Sequence, residues 1–217
     1  MRFRSLSYIL SPVSASSADE TMDVSVHDVD SNGTVKELHR ASGGPWGLSS
    51  VSDIFIAWLT QLLGEDVMKS FKNERMEDYY ELSQNIAMRL SKFSSAKNEN
   101  KYFNIRIEPA LSTKLERVKL TDDIKYTAGV LRISSQLVES WIKEPISNAI
   151  RHISGILTEP AMSGVDTILL VGRFAECPLI QEAVKKAFSN KKIVIPTNPT
   201  TAVLCGAVLF GRQFTTM

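Results

Sequence analysis

The stretch Asp166–Arg212, DTILLVGRFAECPLIQEAVKKAFSNKKIVIPTNPTTAVLCGAVLFGR, decides the fold. The apolar run ending at Val171 has the length and composition of a buried strand. Gly172 provides a turn, and a helix follows it. KKIVI is a second short strand, and TTAVLCGAVLFG is a helix of small residues. A strand that delivers a glycine turn into a helix N-terminus is one way to hold a phosphate, because unpaired backbone N–H groups point outward there.

Upstream of this unit lies a loop over Thr158–Gly164, preceded by a long helix that begins at Ser134 or Ser135. Its expected buried stripe is Leu137, Trp141, Ile146, Ile150, Ile153 and Leu157, and Pro145 is expected to kink or split it. Tyr102–Ile107, Lys114–Leu120 and Val130–Ile133 read as strands, and about Glu74 to Lys92 as a charged helix. A first helix follows Ser49 or Ser50, with Val51, Ile54, Phe55, Trp58, Leu59 and Leu62 on one face. Before it, MDVSVHDV from Met22 alternates as a strand, Asp30-Ser31-Asn32-Gly33 turns, and Thr34–Arg40 returns. Ala41 to Gly47 reads as a glycine-rich loop. Residues 1–21 read as a tail or linker. The order is α/β, with core segments 22–64 and 126–217 and an inserted α+β unit over 65–125.

The 217 residues carry a formal charge of +1, which gives no electrostatic case for nucleic acid or an anionic membrane. No run approaches the ~20 apolar residues of a membrane span. The two cysteines, Cys177 and Cys205, sit among apolar residues and read as free, buried thiols of a reducing, cytoplasmic compartment. No zinc-like spacing surrounds them.

Candidate residues for chemistry are few. Gly43, Gly44 and Gly47 could expose N–H groups to a phosphate or simply form a tight turn. Gly172 could admit a ligand to the backbone or make an ordinary connection, and Arg173 beside it would crowd the approach. Gly206 reads as a site of close helix packing. His27 and His39 fall on the hairpin, facing one another or solvent, and His152 on the polar side of its helix; no motif orients a partner for any of them. Asp23, Asp28 and Asp30 form an acidic group, of which Asp23 could hold Mg²⁺ through water.

Taken in order, LHRASGGPWG, SWIKEPISNAIRHI, DTILLVGRFAECPLIQEAV and PTTAVLCGAVLFG resemble the heat shock 70 kDa protein 12 branch of the chaperone superfamily, from about Met22 to Gly211. The resemblance implies an actin-like ATPase (ribonuclease-H-like) fold, specifically its second lobe with a small inserted subdomain. It implies ATP or ADP with Mg²⁺ as cofactor, with Gly43, Gly44, Gly47, Arg89, Gly172 and Arg173 as nucleotide-facing positions.

Several positions depart from the family pattern. Thr21-Met22-Asp23 matches the end of its phosphate motif, but Ala18-Asp19-Glu20 stand where glycines are expected. Their side chains fill space a phosphate needs, and two carboxylates repel it. Leu48 replaces a further glycine, Asn85 and Met88 replace polar adenosine contacts, and Arg173 replaces a glycine. No segment resembles the first lobe. The expectation is a degenerate nucleotide-binding lobe that does not hydrolyse ATP alone. The alternatives are a non-catalytic interaction module that docks on proteins or full-length relatives, and a fragment of a longer ATPase. A single lobe would also expose the face that meets the first lobe, predicting self-association.

Overall fold

The structure, a computed structural model, describes residues 3–9, 21–32, 34–94 and 102–214. The chain divides into two compact units, Met1–Ser49 with Pro145–Met217, and Ser50–Glu144. The expected insert, 65–125, therefore widens at both ends. Among the described residues, no helix is long and apolar enough to cross a membrane.

The first unit is built on a five-stranded sheet of β1 (Phe3–Ile9), β2 (Met22–Val29), β3 (Val35–Gly44), β7 (Val165–Val171) and β8 (Lys192–Val194), in the order β3-β2-β1-β7-β8. β1 and β2, and β2 and β3, are antiparallel, whereas β7 is parallel to β1 and β8 to β7. Strand β2 alone opposes the rest. Its residues Met22, Val24 and Val26 are fully buried, as are Ile168 and Leu170 of β7. The reading of residues 1–21 as a tail fails at Phe3–Ile9, which forms the middle strand. Local pattern did not reveal it because its parallel partner, β7, lies near the other end of the sequence; residues 10–20 lie outside the described set.

Strand β3 also runs further than expected, absorbing Ala41–Gly44. It spends ten residues against the eight of β2, and the pairing shifts between Val24 and Val26 and again between Val26 and His27. These two bulges let the strand carry a glycine pair to its end. Helix α6 (Pro178–Ala187) starts on its proline, buries Ile180 and Val184, and ends with Lys185 and Lys186 at the negative end of its dipole.

The second unit holds the three-stranded antiparallel sheet β4 (Tyr102–Arg106), β6 (Val130–Ser134) and β5 (Ile124–Thr127), in that order. β5 and β6 are joined through Ala128 and Gly129, both at positive φ (51° and 77°), the requirement of a two-residue hairpin of right-handed twist. The rings of Phe55, Trp58, Phe103 and Trp141 pack together, with centroids 5.2–6.4 Å apart. Helices α1 (Leu48–Leu63), α2 (Glu65–Glu74) and α3 (Met76–Leu90) precede the sheet. The single charged helix expected from Glu74 is thus α3, and α2 is an additional helix. The strand expected at Lys114–Leu120 is instead the end of helix α4 (Pro109–Leu115) and a turn. Pro109 starts that helix and Leu111 and Leu115, four apart, bury its face, a helical spacing that a short window read as alternation.

Helix α5 (Ser135–Leu157) is unbroken through Pro145, although the boundary between the units falls there. Its buried stripe is Val138, Ile142, Ile146, Ala149, Ile153 and Ile156. Of the expected stripe only Ile146 and Ile153 are buried, because the expected positions drift off the 3.6-residue period. Helix α7 (Pro199–Phe214) closes the chain.

Candidate functional site

Pairing registers place the glycine positions on one edge of the first sheet. Gly43 of β3 pairs with Asp23 of β2, Asp23 with Ile9 of β1, and Ile9 with Val171 of β7. Gly172 follows directly. This row is the carboxyl edge of the parallel strands, where open α/β sheets characteristically bind ligands. At ~4.8 Å per strand, the row from Gly43 to Val171 spans roughly 14 Å.

Neighbours within the chain crowd Gly43 and Gly44, and the Gly172 N–H is hydrogen-bonded. A Cβ on Gly43 would lie 1.6 Å from the Met22 carbonyl oxygen, so the close approach of β2 explains this glycine. A Cβ on Gly44 would meet the Trp46 ring at 2.7 Å. Gly47 is buried. Gly172 sits at φ 90°, is buried, and its N–H donates to the Pro199 carbonyl at 2.8 Å. That bond ties the turn after β7 to the start of α7, and the Thr200 hydroxyl donates to Glu176 at 2.5 Å beside it.

Arg173 is half-buried at the start of a short 3₁₀ turn, Arg173–Glu176. Arg89 belongs to the second unit, exposed in the last turn of α3. Asp23 is half-buried and accepts from the Thr21 hydroxyl at 3.3 Å. Among the described residues no group of three acidic, His or Cys side chains could hold a metal ion. These residues do not fit a Mg²⁺–phosphate clamp, which needs several converging oxygens.

A second cluster was not legible in the sequence. The Ser42 hydroxyl lies 2.8 Å from Nε2 of His39 and 3.0 Å from Nε2 of His152. Residues three apart on a regular strand point to opposite faces; the bulge between Val24 and Val26 turns His39 and Ser42 toward one another. The Trp46 ring stands 5.3 Å from the His152 ring. A hydroxyl has one proton to donate, so it donates to one imidazole and accepts from the other, which must carry its proton on Nε2. The cluster ties β3 to α5 beside an open cavity of about 410 Å³, whose lining includes Arg151, Ile156 and Glu159. The two histidines are 113 positions apart in the sequence (152 − 39), which no local pattern reports.

The cysteine expectation divides. Cys177 is buried and burial pushes its thiol up from the ordinary value, whereas Cys205 is exposed on α7. Gly206 is likewise exposed, and nothing lies within 4 Å of a Cβ built on it. Among the described residues nothing packs against it, contrary to the close-packing expectation.

No family model matches the sequence. Comparison with individual proteins is informative. Heat shock 70 kDa protein 12B of Homo sapiens is 31% identical over 208 residues, covering 88% of this chain and 30% of that protein. Heat shock 70 kDa protein 12A of Mus musculus is 32% identical over 205 residues, with the same coverage. A chaperone protein HscA homolog of Rickettsia prowazekii is 27% identical over 110 residues, covering 51% of this chain and 18% of that protein. The chain is therefore a homologue of the heat shock 70 kDa protein 12 proteins and spans about 30% of their length. The homology implies an actin-like ATPase fold for the mixed α/β architecture.

Proposed function

We propose that this homologue of the heat shock 70 kDa protein 12 proteins is a degenerate second lobe of an Hsp70-like nucleotide-binding domain, without ATPase activity of its own. The strand order, with β2 alone reversed, supports the ribonuclease-H-like lobe. The observation that carries the rest is the Gly172 N–H donating to the Pro199 carbonyl. A backbone donor at the β7 end of the would-be phosphate edge is spent holding α7. Gly43 is required by the approach of Met22 and Gly172 by its positive φ, so folding accounts for these two retained glycines. Phosphoryl transfer needs a metal-neutralised phosphate and a positioned nucleophile, and among the described residues no group of metal-ligating side chains gathers at Asp23 to hold that metal. Ala18, Asp19 and Glu20 add bulk and negative charge at the family's phosphate motif. Nucleotide affinity on this reading lies in the millimolar range (~4 kcal/mol) or weaker.

Titration calorimetry with ATP and with ADP, each with Mg²⁺, tests this. Silence at micromolar nucleotide is expected. Arg173→Gly is expected to leave it silent, because the two carboxylates remain. Micromolar binding by the unaltered chain, or ATP turnover above background, would overturn the proposal.

A further inference from the structure

We propose that the cavity beside His39, Ser42 and His152 binds a small organic carboxylate, and that the two imidazoles couple this binding to the uptake of a proton. None of the glycines of the nucleotide edge takes part.

The proton count of the cluster is decisive. Both imidazoles meet the same oxygen through Nε2, at 2.8 Å for His39 and 3.0 Å for His152. With both rings neutral, one imidazole accepts the Ser42 proton and the other donates its own. One added proton changes this. Both Nε2 atoms then carry hydrogen, and both donate to the two lone pairs of the Ser42 oxygen. The hydroxyl proton is released from the pair and is free to point at the cavity that Ser42 lines. The proton that makes the cluster cationic therefore also gives the cavity a new donor. A carboxylate answers both changes at once, through its charge and through a charge-assisted hydrogen bond.

The rest of the lining suits this ligand. Arg151 precedes His152 on α5 and lines the same cavity. Among the described residues its side chain bonds only to Asn148, whose Oδ1 accepts from Nη1 at 3.0 Å. That bond leaves most of the guanidinium fork, the group that matches a carboxylate edge to edge, free for a ligand. Trp46 and Ile156 add apolar wall, which favours a carboxylate with an apolar body over a bare inorganic anion. The volume, about 410 Å³, falls in the ordinary range of small-molecule sites. Besides the imidazoles, the charged groups on this lining are Arg151 and Glu159; β3 and the loop that follows it add none. Glu159 stands seven residues beyond His152, roughly 10 Å along a helical axis, so the imidazole end is the anion end.

Titration calorimetry of the full chain with benzoate, whose own charge is constant between about pH 6 and about pH 8, is the test across the range in which imidazoles generally change charge. Saturable binding is expected at the lower pH, weakening about tenfold at the higher, as a one-proton linkage requires. Near neutral pH, titrations in two buffers of different ionisation enthalpy should show net proton uptake. Acetate, the same carboxylate without a ring, should bind more weakly. Arg151→Gln should weaken benzoate about tenfold at both pH values and leave urea unfolding unchanged, since Arg151 is exposed. His39→Gln combined with His152→Gln should remove the pH dependence and the proton uptake. Absence of saturable binding at the lower pH overturns the proposal. So does equal affinity at the two pH values, affinity unchanged in Arg151→Gln, or acetate binding as tightly as benzoate.

Discussion

Adding one methyl group at three glycines should give three different outcomes, ordered by what each Cβ meets. In Gly43→Ala the new carbon would stand 1.6 Å from a backbone oxygen, that of Met22. Restoring ordinary contact requires β2 and β3 to part by about 2 Å at this row, which forfeits the neighbouring ladder bonds at ~1 kcal/mol each and adds overpacking strain of ~1–3 kcal/mol. A loss of about 3 kcal/mol is expected. In Gly44→Ala the obstacle is the Trp46 ring at 2.7 Å, a side chain that can swing aside, and about 1–2 kcal/mol is expected. Gly155, exposed in α5 with nothing within 4 Å, is the control. Gly155→Ala should stabilise by ~0.5–1 kcal/mol through helix propensity and a less flexible unfolded chain. Urea unfolding followed by circular dichroism measures all three. Gly43→Ala within about 0.5 kcal/mol of the unaltered protein, or less destabilised than Gly44→Ala, would refute the close approach of β2 and β3.

Ser42→Ala deprives two imidazoles of a shared partner and should cost about 1 kcal/mol by urea unfolding, in keeping with a half-buried hydrogen-bonded site. Thiol titration of the native protein should count one reactive cysteine, Cys205, and two after denaturation, because burial keeps Cys177 protonated and inaccessible. Burial, then repulsion from Asp78 and Glu81, raises the Glu108 carboxyl above its ordinary 4.5. The folded state therefore holds this proton more tightly than the unfolded chain, so stability falls as pH rises from about 4.5 through the raised value. Glu108→Gln should remove that component and gain a few tenths of a kcal/mol at neutral pH, as for partly exposed charges. Chemical denaturation at acid and neutral pH would show the gain only at the higher pH.

The sequence made the β-α-β-α segment Asp166–Arg212 legible because each of its elements is locally complete. Pro178 starts a helix, Ile180 and Val184 bury one face, and Gly172 takes the positive φ that its position demands. The hairpin from Met22 was legible for the same reason. What escaped depends on distant pairing. Strand β1 becomes a strand through β2 and β7, and its arginine and serines give no apolar run. The short helix α4 escaped because seven residues carry too few periods to separate helix from strand. At the candidate site, the sequence marked Gly43, Gly44 and Gly172 but not what occupies their backbone. The Met22 carbonyl and the Pro199 carbonyl are generic groups that only the fold brings near. The sequence offers no oriented partner for His39 or His152, and Ser42 joins them through a bulge that no composition signal announces.

The middle strand of the first sheet has a consequence for how the chain is made. Arg4 pairs with Val165 and Ile9 with Val171, so the central parallel contact closes only once translation has passed Val165–Val171. The unit Ser50–Glu144 is continuous in sequence and has all its strands in hand long before that. During synthesis it can fold while β1 and β2 wait at the ribosome's exit with an unpaired edge. Long-range parallel pairing is the slow kind, and exposed strand edges are what chaperones and aggregation compete for. Strand β1 thus ties completion of the sheet to the translation of Val165–Val171, and any pause before that stretch prolongs the interval in which β1 is unpaired on its β7 side.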